Sequence, residues 1–272
     1  MTVTGAQLEG GKVAQPSRWE DPAVNESGTR DHYARLAATY DENWAYSPAY
    51  LEWMTECIRQ QLDLTATDLV ADIGCGTGLY ARRLAEYAQV VVCAEPSAPM
   101  LAQVPRDDRL MPVAASAEDL AAGRVELPHD GYGAILLKEV LHHVENRAGV
   151  VAGLTRLLRP GGRMLVVMLP TEISYPLFAA ALRAFTDQQP DPAEIARDMR
   201  DAGLRAEVTL LGFPLRFETG RYLQMVRNRY MSLLSMFDDK ELARGVAEIR
   251  QAHPEDEVEF TDTFAFVRGT AS

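Results

Sequence analysis

One run of residues limits this chain more than any other: Val70-Ala71-Asp72-Ile73-Gly74-Cys75-Gly76-Thr77-Gly78-Leu79. Apolar residues lead into three alternating glycines, and a helical pattern follows. Glycine tolerates the left-handed backbone of a tight strand-to-helix turn, and its missing Cβ lets a ligand lie against bare main chain at a helix N-terminus. The spacing excludes two phosphate cradles. A dinucleotide fingerprint places its third glycine at position 79, where Leu79 stands, and no Gly-Lys-Ser/Thr follows as in a P-loop.

Further apolar runs recur at Val90–Ala94, Leu110–Ala114, Ala134–Leu137 and Met164–Met168, each ending in a turn and most followed by a helical segment. Short, wholly apolar strands alternating with helices predict a parallel sheet covered on both faces. Before them, a helix is expected over Tyr33–Tyr40 and a second from about Ser47, with Leu51, Met54 and Ile58 on one side. After Pro170 the pattern predicts helices over about Thr171–Asp187 and Asp191–Ala202, then a strand over Glu207–Phe217. Helices over about Gly220–Met236 and Asp239–His253 and a final strand over Val258–Arg268 complete the chain. Helices added this late, after a complete α/β core, read as a lid. The expected divisions are a flexible tail over 1–28, covering helices over 29–62, a ligand-binding core over 63–170, and a lid with the closing strands over 171–272.

Twenty-seven basic against 39 acidic residues leave a net charge of −12, which disfavours phosphate backbones and anionic membranes as partners. The expectation is a small-molecule substrate, no nucleic acid, no membrane, and a monomer or homodimer. Cys57, Cys75 and Cys93 are widely spaced and odd in number, which suits reduced thiols in the cytoplasm, and no metal-ligand spacing appears. No apolar stretch approaches the ~20 residues of a membrane span.

The second apolar strand ends at Glu95, where a carboxylate is placed to accept both hydroxyls of a ribose. With the glycine loop it indicates an adenosine-type ligand without a pyrophosphate at the loop. At this point the residues resemble a family. Asp72-Ile73-Gly74-Cys75-Gly76-Thr77-Gly78, Glu95-Pro96-Ser97-Ala98-Pro99-Met100-Leu101 and Ala115-Ser116-Ala117-Glu118-Asp119-Leu120 are similar, in order, to landmarks of class I S-adenosylmethionine-dependent methyltransferases of the small-molecule, ubiquinone-biosynthesis-like type. So are Leu141-His142-His143-Val144 and Leu158-Arg159-Pro160-Gly161-Gly162.

The resemblance implies a Rossmann-like seven-stranded sheet with the last strand antiparallel, and S-adenosyl-L-methionine lying across the carboxyl ends of the strands. It implies cofactor contacts from Gly74, Cys75, Gly76 and Gly78. Asp72 would take the methionine amino group, Glu95 with Pro96 and Met100 the ribose side, and Ser116, Ala117 and Glu118 the adenine. Tyr33 and Tyr40 would close over the cofactor. Ser116 departs from the aspartate that the family often has there.

His142 and His143 follow the fourth strand, at the switch region, and either imidazole suits proton abstraction from an acceptor; the alternative is packing or capping of the next helix. Lys138 and Glu139 stand where the family has small or polar residues, and read either as contacts to the methionine moiety or acceptor or as an ion pair. Glu172 stands near the place where some relatives carry a catalytic aspartate, and reads otherwise as a helix-start glutamate. Tyr222, Met225 and Arg229, on adjoining turns of the lid, are the candidate acceptor contacts. No Asn/Asp-Pro-Pro-Tyr signature of amino-group methylation follows the fourth strand, so oxygen or carbon methylation is favoured, in natural-product biosynthesis. Members of this fold that bind the cofactor yet catalyse a non-methylating reaction such as cyclisation, or that act as non-catalytic subunits, are the alternative.

Overall fold

The structure, a computed structural model, describes residues 47–272. Tyr33 and Tyr40, with the tail expected over 1–28 and the helix expected over Tyr33–Tyr40, lie outside the described residues. Among the described residues the first helix is α1 (Pro48–Gln61). Ser47 caps it by accepting the Tyr50 N–H at 3.1 Å, and Pro48, which lacks an amide hydrogen, occupies the first turn where none is needed. The core alternates β1 (Leu69–Ile73), α2 (Ala81–Leu84), β2 (Val90–Ala94), α3 (Ala98–Leu101), β3 (Leu110–Val113), α4 (Ala117–Ala121), β4 (Tyr132–Lys138), α5 (Arg147–Thr155) and β5 (Leu158–Met168). Beyond it come α6 (Ala179–Gln188), α7 (Pro192–Asp201), β6 (Arg205–Glu218), α8 (Thr219–Arg227), α9 (Asp239–Ala252) and β7 (Glu257–Thr270).

Seven strands form one sheet in the order β3-β2-β1-β4-β5-β7-β6. β1 to β5 pair parallel, and β7 runs antiparallel to both β5 and β6. This is the Rossmann-like α/β architecture with a reversed last strand. Alternate side chains enter separate apolar layers. Ala134, Leu136, Leu165 and Val167 pack with α1, α2 and the lid, whereas Ile135, Leu137, Met164 and Val166 pack with α4, α5 and α7. Each fully buried Leu, Ile or Val adds about 1.5–3 kcal/mol, so strands buried on both faces hold their register firmly.

One feature of the pairing places the lid. β7 pairs with β5 only as far as Met168↔Ala265, whereas β6 and β7 continue together to Glu218↔Glu257. The two-stranded ribbon therefore runs past the carboxyl end of β5 and carries residues 219–256, including α8, α9 and a short 3₁₀ turn (Ser232–Met236), over that edge of the sheet. The helix expected over Thr171–Asp187 begins only at Ala179: residues 171–178 are non-helical, and Pro176 disfavours helical backbone at Tyr175. Glu172 is exposed and precedes α6 by several residues, so it does not start a helix. The helix expected over Gly220–Met236 likewise breaks after Arg227, and Arg229 adopts a left-handed φ of 54°.

Candidate functional site

Two cavities of about 150 and 160 Å³ lie along the carboxyl ends of β1, β2 and β4 and share Gly74, Gly76, Lys138 and Glu139. They form one groove with two arms. The first arm holds Asp72, Cys75, Tyr80 and His142 and is roofed by Phe185, Gln188 and the segment Tyr230–Leu233. The second holds Glu95, Pro96, Ser97, Met100, Ser116, Ala117, Glu118 and His143.

The shared floor is built by glycine. Gly74, Gly76 and Gly78 take φ values of 74°, 58° and 77°, a region costly for residues with a Cβ. A Cβ on Gly74 would drive into Val140 Cγ2, while one on Gly76 would meet only Met100 Cε, at 3.3 Å. Gly76 thus leaves its bare face toward the groove. Gly78 faces Val104 instead and lines neither arm, so its part is to turn the chain. Amides of Gly74 and Cys75 both bond Ala94 O, at 2.7 and 3.1 Å, pinning the loop to the end of β2.

Glu95 sits beside this loop. Its carboxylate accepts the Gly76 N–H at 3.1 Å and the Ser97 N–H at 2.8 Å. Burial pushes its pKa up and the two amides oppose that. Burial, then the Glu95 charge, push Asp72 up to about 7, with Lys138 acting against them. The Cys75 thiol is pushed far up by its hydrogen bond with Cys93 and by burial. It is a neutral wall of the cavity and no nucleophile.

Lys138 ends β4 with its Nζ between two aromatic faces, 5.2 Å from the Tyr80 ring centre and 5.1 Å from that of Phe264. Burial lowers its pKa, and Glu139, Asp262 and Asp72 raise it. Glu139 has a left-handed φ of 56°, rare for a glutamate. Its carboxylate accepts the Leu169 N–H at 3.0 Å, joining the ends of β4 and β5 under the groove. Burial raises its pKa.

The histidines divide between the arms. Their rings stand 3.9 Å apart, but His142 lines the first arm and the exposed His143 the second. Burial, with the Lys138 charge second, pulls His142 down to about 4, so it is neutral at ordinary pH and free to accept a proton.

Other expected contacts fall differently. Ser116 lines the second arm, but its hydroxyl is engaged as the N-cap of α4, accepting the Asp119 N–H at 3.1 Å and donating to Asp119 Oδ2 at 2.9 Å. Tyr222, Met225 and Arg229 line neither arm. Tyr222 is buried against Phe217 and Phe260 with its hydroxyl 3.3 Å from that of Tyr230, Met225 packs on the same core, and Arg229 bonds Asp239 and Phe237 O. The helical face that drew attention is the face that packs. The groove is reached by the next residues, Tyr230–Leu233, where the helix has ended and periodicity carries no signal.

Among the described residues no cluster of three His, Cys, Asp or Glu is placed to hold a metal, and no helix is long and apolar enough to cross a membrane.

The family model described as a methyltransferase domain matches residues 71–166. That stretch is similar to methyltransferase domains. An uncharacterized methyltransferase of Mycobacterium tuberculosis is 33% identical over 105 residues, which cover 39% of this chain and 52% of that one. The ubiquinone biosynthesis O-methyltransferase of Xylella fastidiosa is 33% identical over 159 residues, 51% and 61% of the two chains. The chain therefore spans between about half and three fifths of the length of these curated relatives.

Among solved structures, a protein of Anabaena variabilis assigned to an antibiotic biosynthesis pathway as a methyltransferase superposes with a TM-score of 0.66 at 16% identity, over 80% of this chain and 96% of that one. Phosphoethanolamine N-methyltransferase 2 of Haemonchus contortus, in complex with S-adenosyl-L-methionine, gives 0.56 at 18% identity, over 89% and 59%. These two likenesses establish the fold. All residues of the second arm fall inside the matched segment 71–166, whereas Leu169, Phe185, Gln188, Gln189 and Tyr230–Leu233 of the first arm lie outside it.

Proposed function

We propose that the chain is an S-adenosylmethionine-dependent methyltransferase acting on a small molecule, with oxygen or carbon as the accepting atom and natural-product biosynthesis as its setting. The observation that carries this reading is the two-armed groove over one glycine floor, with Glu95 on one side and His142 on the other. The groove fits the cofactor: Gly76 leaves an open cradle that a side chain would fill, and Asp72 is a buried acid lining the first arm.

When bound, S-adenosylmethionine supplies a methyl group already activated on a sulfonium. The chain's own residues then have three tasks. Glu95 holds the ribose hydroxyls, Ala117 and Glu118 flank the adenine, and Asp72 takes the ammonium of the methionine part. The lid walls Phe185 and Tyr230–Leu233 orient the acceptor and keep water out. Neutral His142, on the acceptor arm, takes the proton that the acceptor loses.

The test is incubation of the protein with S-adenosylmethionine and a panel of hydroxylated aromatic and polyketide-type molecules, read by mass spectrometry. Appearance of a product heavier by one methyl, dependent on His142, is expected. Tight cofactor binding with consumption of an acceptor but no methylated product would favour the non-methylating alternative.

A further inference from the structure

The residues around Lys138 carry an inference about charge that the cofactor assignment leaves open. This lysine is one of three in the chain, against 24 arginines. It lines both arms of the groove, so its side chain stands where they meet. Its ammonium lies between the Tyr80 and Phe264 rings, with the carboxylates of Asp72 near the end of β1, Glu139 just after β4 and Asp262 within β7 acting on it. Asp262 is anchored in turn, fully buried, by the Tyr175 hydroxyl at 2.5 Å and the Tyr50 hydroxyl at 2.8 Å.

We propose that Lys138 is the residue by which the site distinguishes a positively charged donor sulfur from a neutral one, disfavouring the first relative to the second. This rests on the reading of the groove as an S-adenosylmethionine site. S-adenosylmethionine and S-adenosylhomocysteine share the adenosine, the ammonium and the carboxylate, and differ by one methyl and one positive charge. Contacts to the shared parts therefore largely cancel in the ratio of their dissociation constants, which leaves the groups that sense the added charge: Lys138, and the carboxylates Asp72 and Glu139 acting in the opposite sense. During transfer the carbon–sulfur bond breaks with its electron pair remaining on sulfur, while the acceptor's lone pair forms the new bond to the methyl. With the sulfonium at the junction of the arms, its charge would be dispersed as the transition state is reached, and repulsion from Lys138 present in the ground state would be relieved. Such an interaction lowers the barrier because it is worse for the reactant than for the transition state.

The test is calorimetric titration of wild type, Lys138→Met, Lys138→Gln and Lys138→Arg with each of the two ligands at pH 7. For wild type the dissociation constant of S-adenosylmethionine divided by that of S-adenosylhomocysteine is the reference. We expect both uncharged variants to lower this ratio about tenfold, the scale of a unit-charge interaction over several ångströms in a partly buried site. Lys138→Arg should hold the ratio near the wild-type value. Two uncharged variants guard against one of them misfolding, and a retained affinity for S-adenosylhomocysteine reports an intact groove. An unchanged ratio in both, with both ligands bound, overturns the proposal and leaves the cofactor reading standing. Absence of binding to wild type removes the cofactor reading and this inference together.

Discussion

The Glu95 carboxylate accepts the backbone N–H of Gly76 at 3.1 Å, so the acid at the tip of β2 and the glycine floor after β1 are held together before any ligand enters. The same carboxylate takes the Ser97 N–H, and two amides fix its direction. Preorganisation of this kind spares the cost of ordering the side chain on binding. Replacing Glu95 with Ala is expected to weaken S-adenosylhomocysteine binding about ten- to hundredfold, the range for hydrogen bonds to a charged group. Glu95→Gln, which keeps one acceptor, should lie between. Calorimetric affinities equal to wild type would show that Glu95 does not hold the ribose.

Gly74 tests the floor itself. Any Cβ there meets a left-handed backbone and the Val140 side chain together. Gly74→Ala should therefore lose about 2 kcal/mol or more in urea unfolding. Adding Val140→Ala should return the packing share of the loss and leave the backbone share. A double variant no better than the single one would mean that Val140 is not the obstacle. Gly76→Arg fills the open cradle and should abolish cofactor binding.

The two histidines give opposite expectations. His142 lines the first arm and His143 the second. His142→Ala should slow transfer about a hundredfold or more while leaving S-adenosylhomocysteine affinity near wild type. His143→Ala should alter affinity more than rate. Because burial and Lys138 pull His142 down to about 4, the acid limb of the rate profile should fall near pH 4. Lys138→Met should move that limb upward, since one of its two causes is gone. A limb at pH 6.5 in wild type would contradict a buried base.

The cluster behind the groove makes stability depend on pH. Burial pushes Asp262 from 3.8 up to about 6, against the Tyr175 and Tyr50 hydroxyls and Lys138, which favour its charged form. A carboxyl whose pKa is higher folded than unfolded contributes stability that is full below the unfolded value and is lost as pH rises through the folded one. Between pH 4 and 7, wild type should lose stability relative to Asp262→Asn by up to about 3 kcal/mol. Urea denaturation of both proteins across that range checks this, and parallel curves would deny the shift.

How much of this is legible in the sequence varies with the physics of each element. β1, its glycines and Glu95 are readable because a doubly covered strand must be apolar and a tight turn must be glycine. β5 extends back from the expected Met164 to Leu158 because Tyr132 pairs with Leu158 across an irregularity before Ala134. The polar, glycine-rich Leu158–Gly162 gives no strand pattern of its own. The setting of Lys138 is set by Asp262 and Phe264, more than 120 residues later, and no local rule reports a contact of that range. The wall of the first arm at Tyr230–Leu233 is carried by the β6–β7 ribbon, whose length no local pattern reports.

The central claim is that the groove is an S-adenosylmethionine site, and titration calorimetry of the wild-type protein with S-adenosylmethionine, S-adenosylhomocysteine and NADH tests it most directly. Binding of both adenosyl ligands at about micromolar dissociation constants, without binding of NADH, is the predicted result. Failure of both adenosyl ligands to bind would contradict the account and reduce the glycine loop to a structural turn.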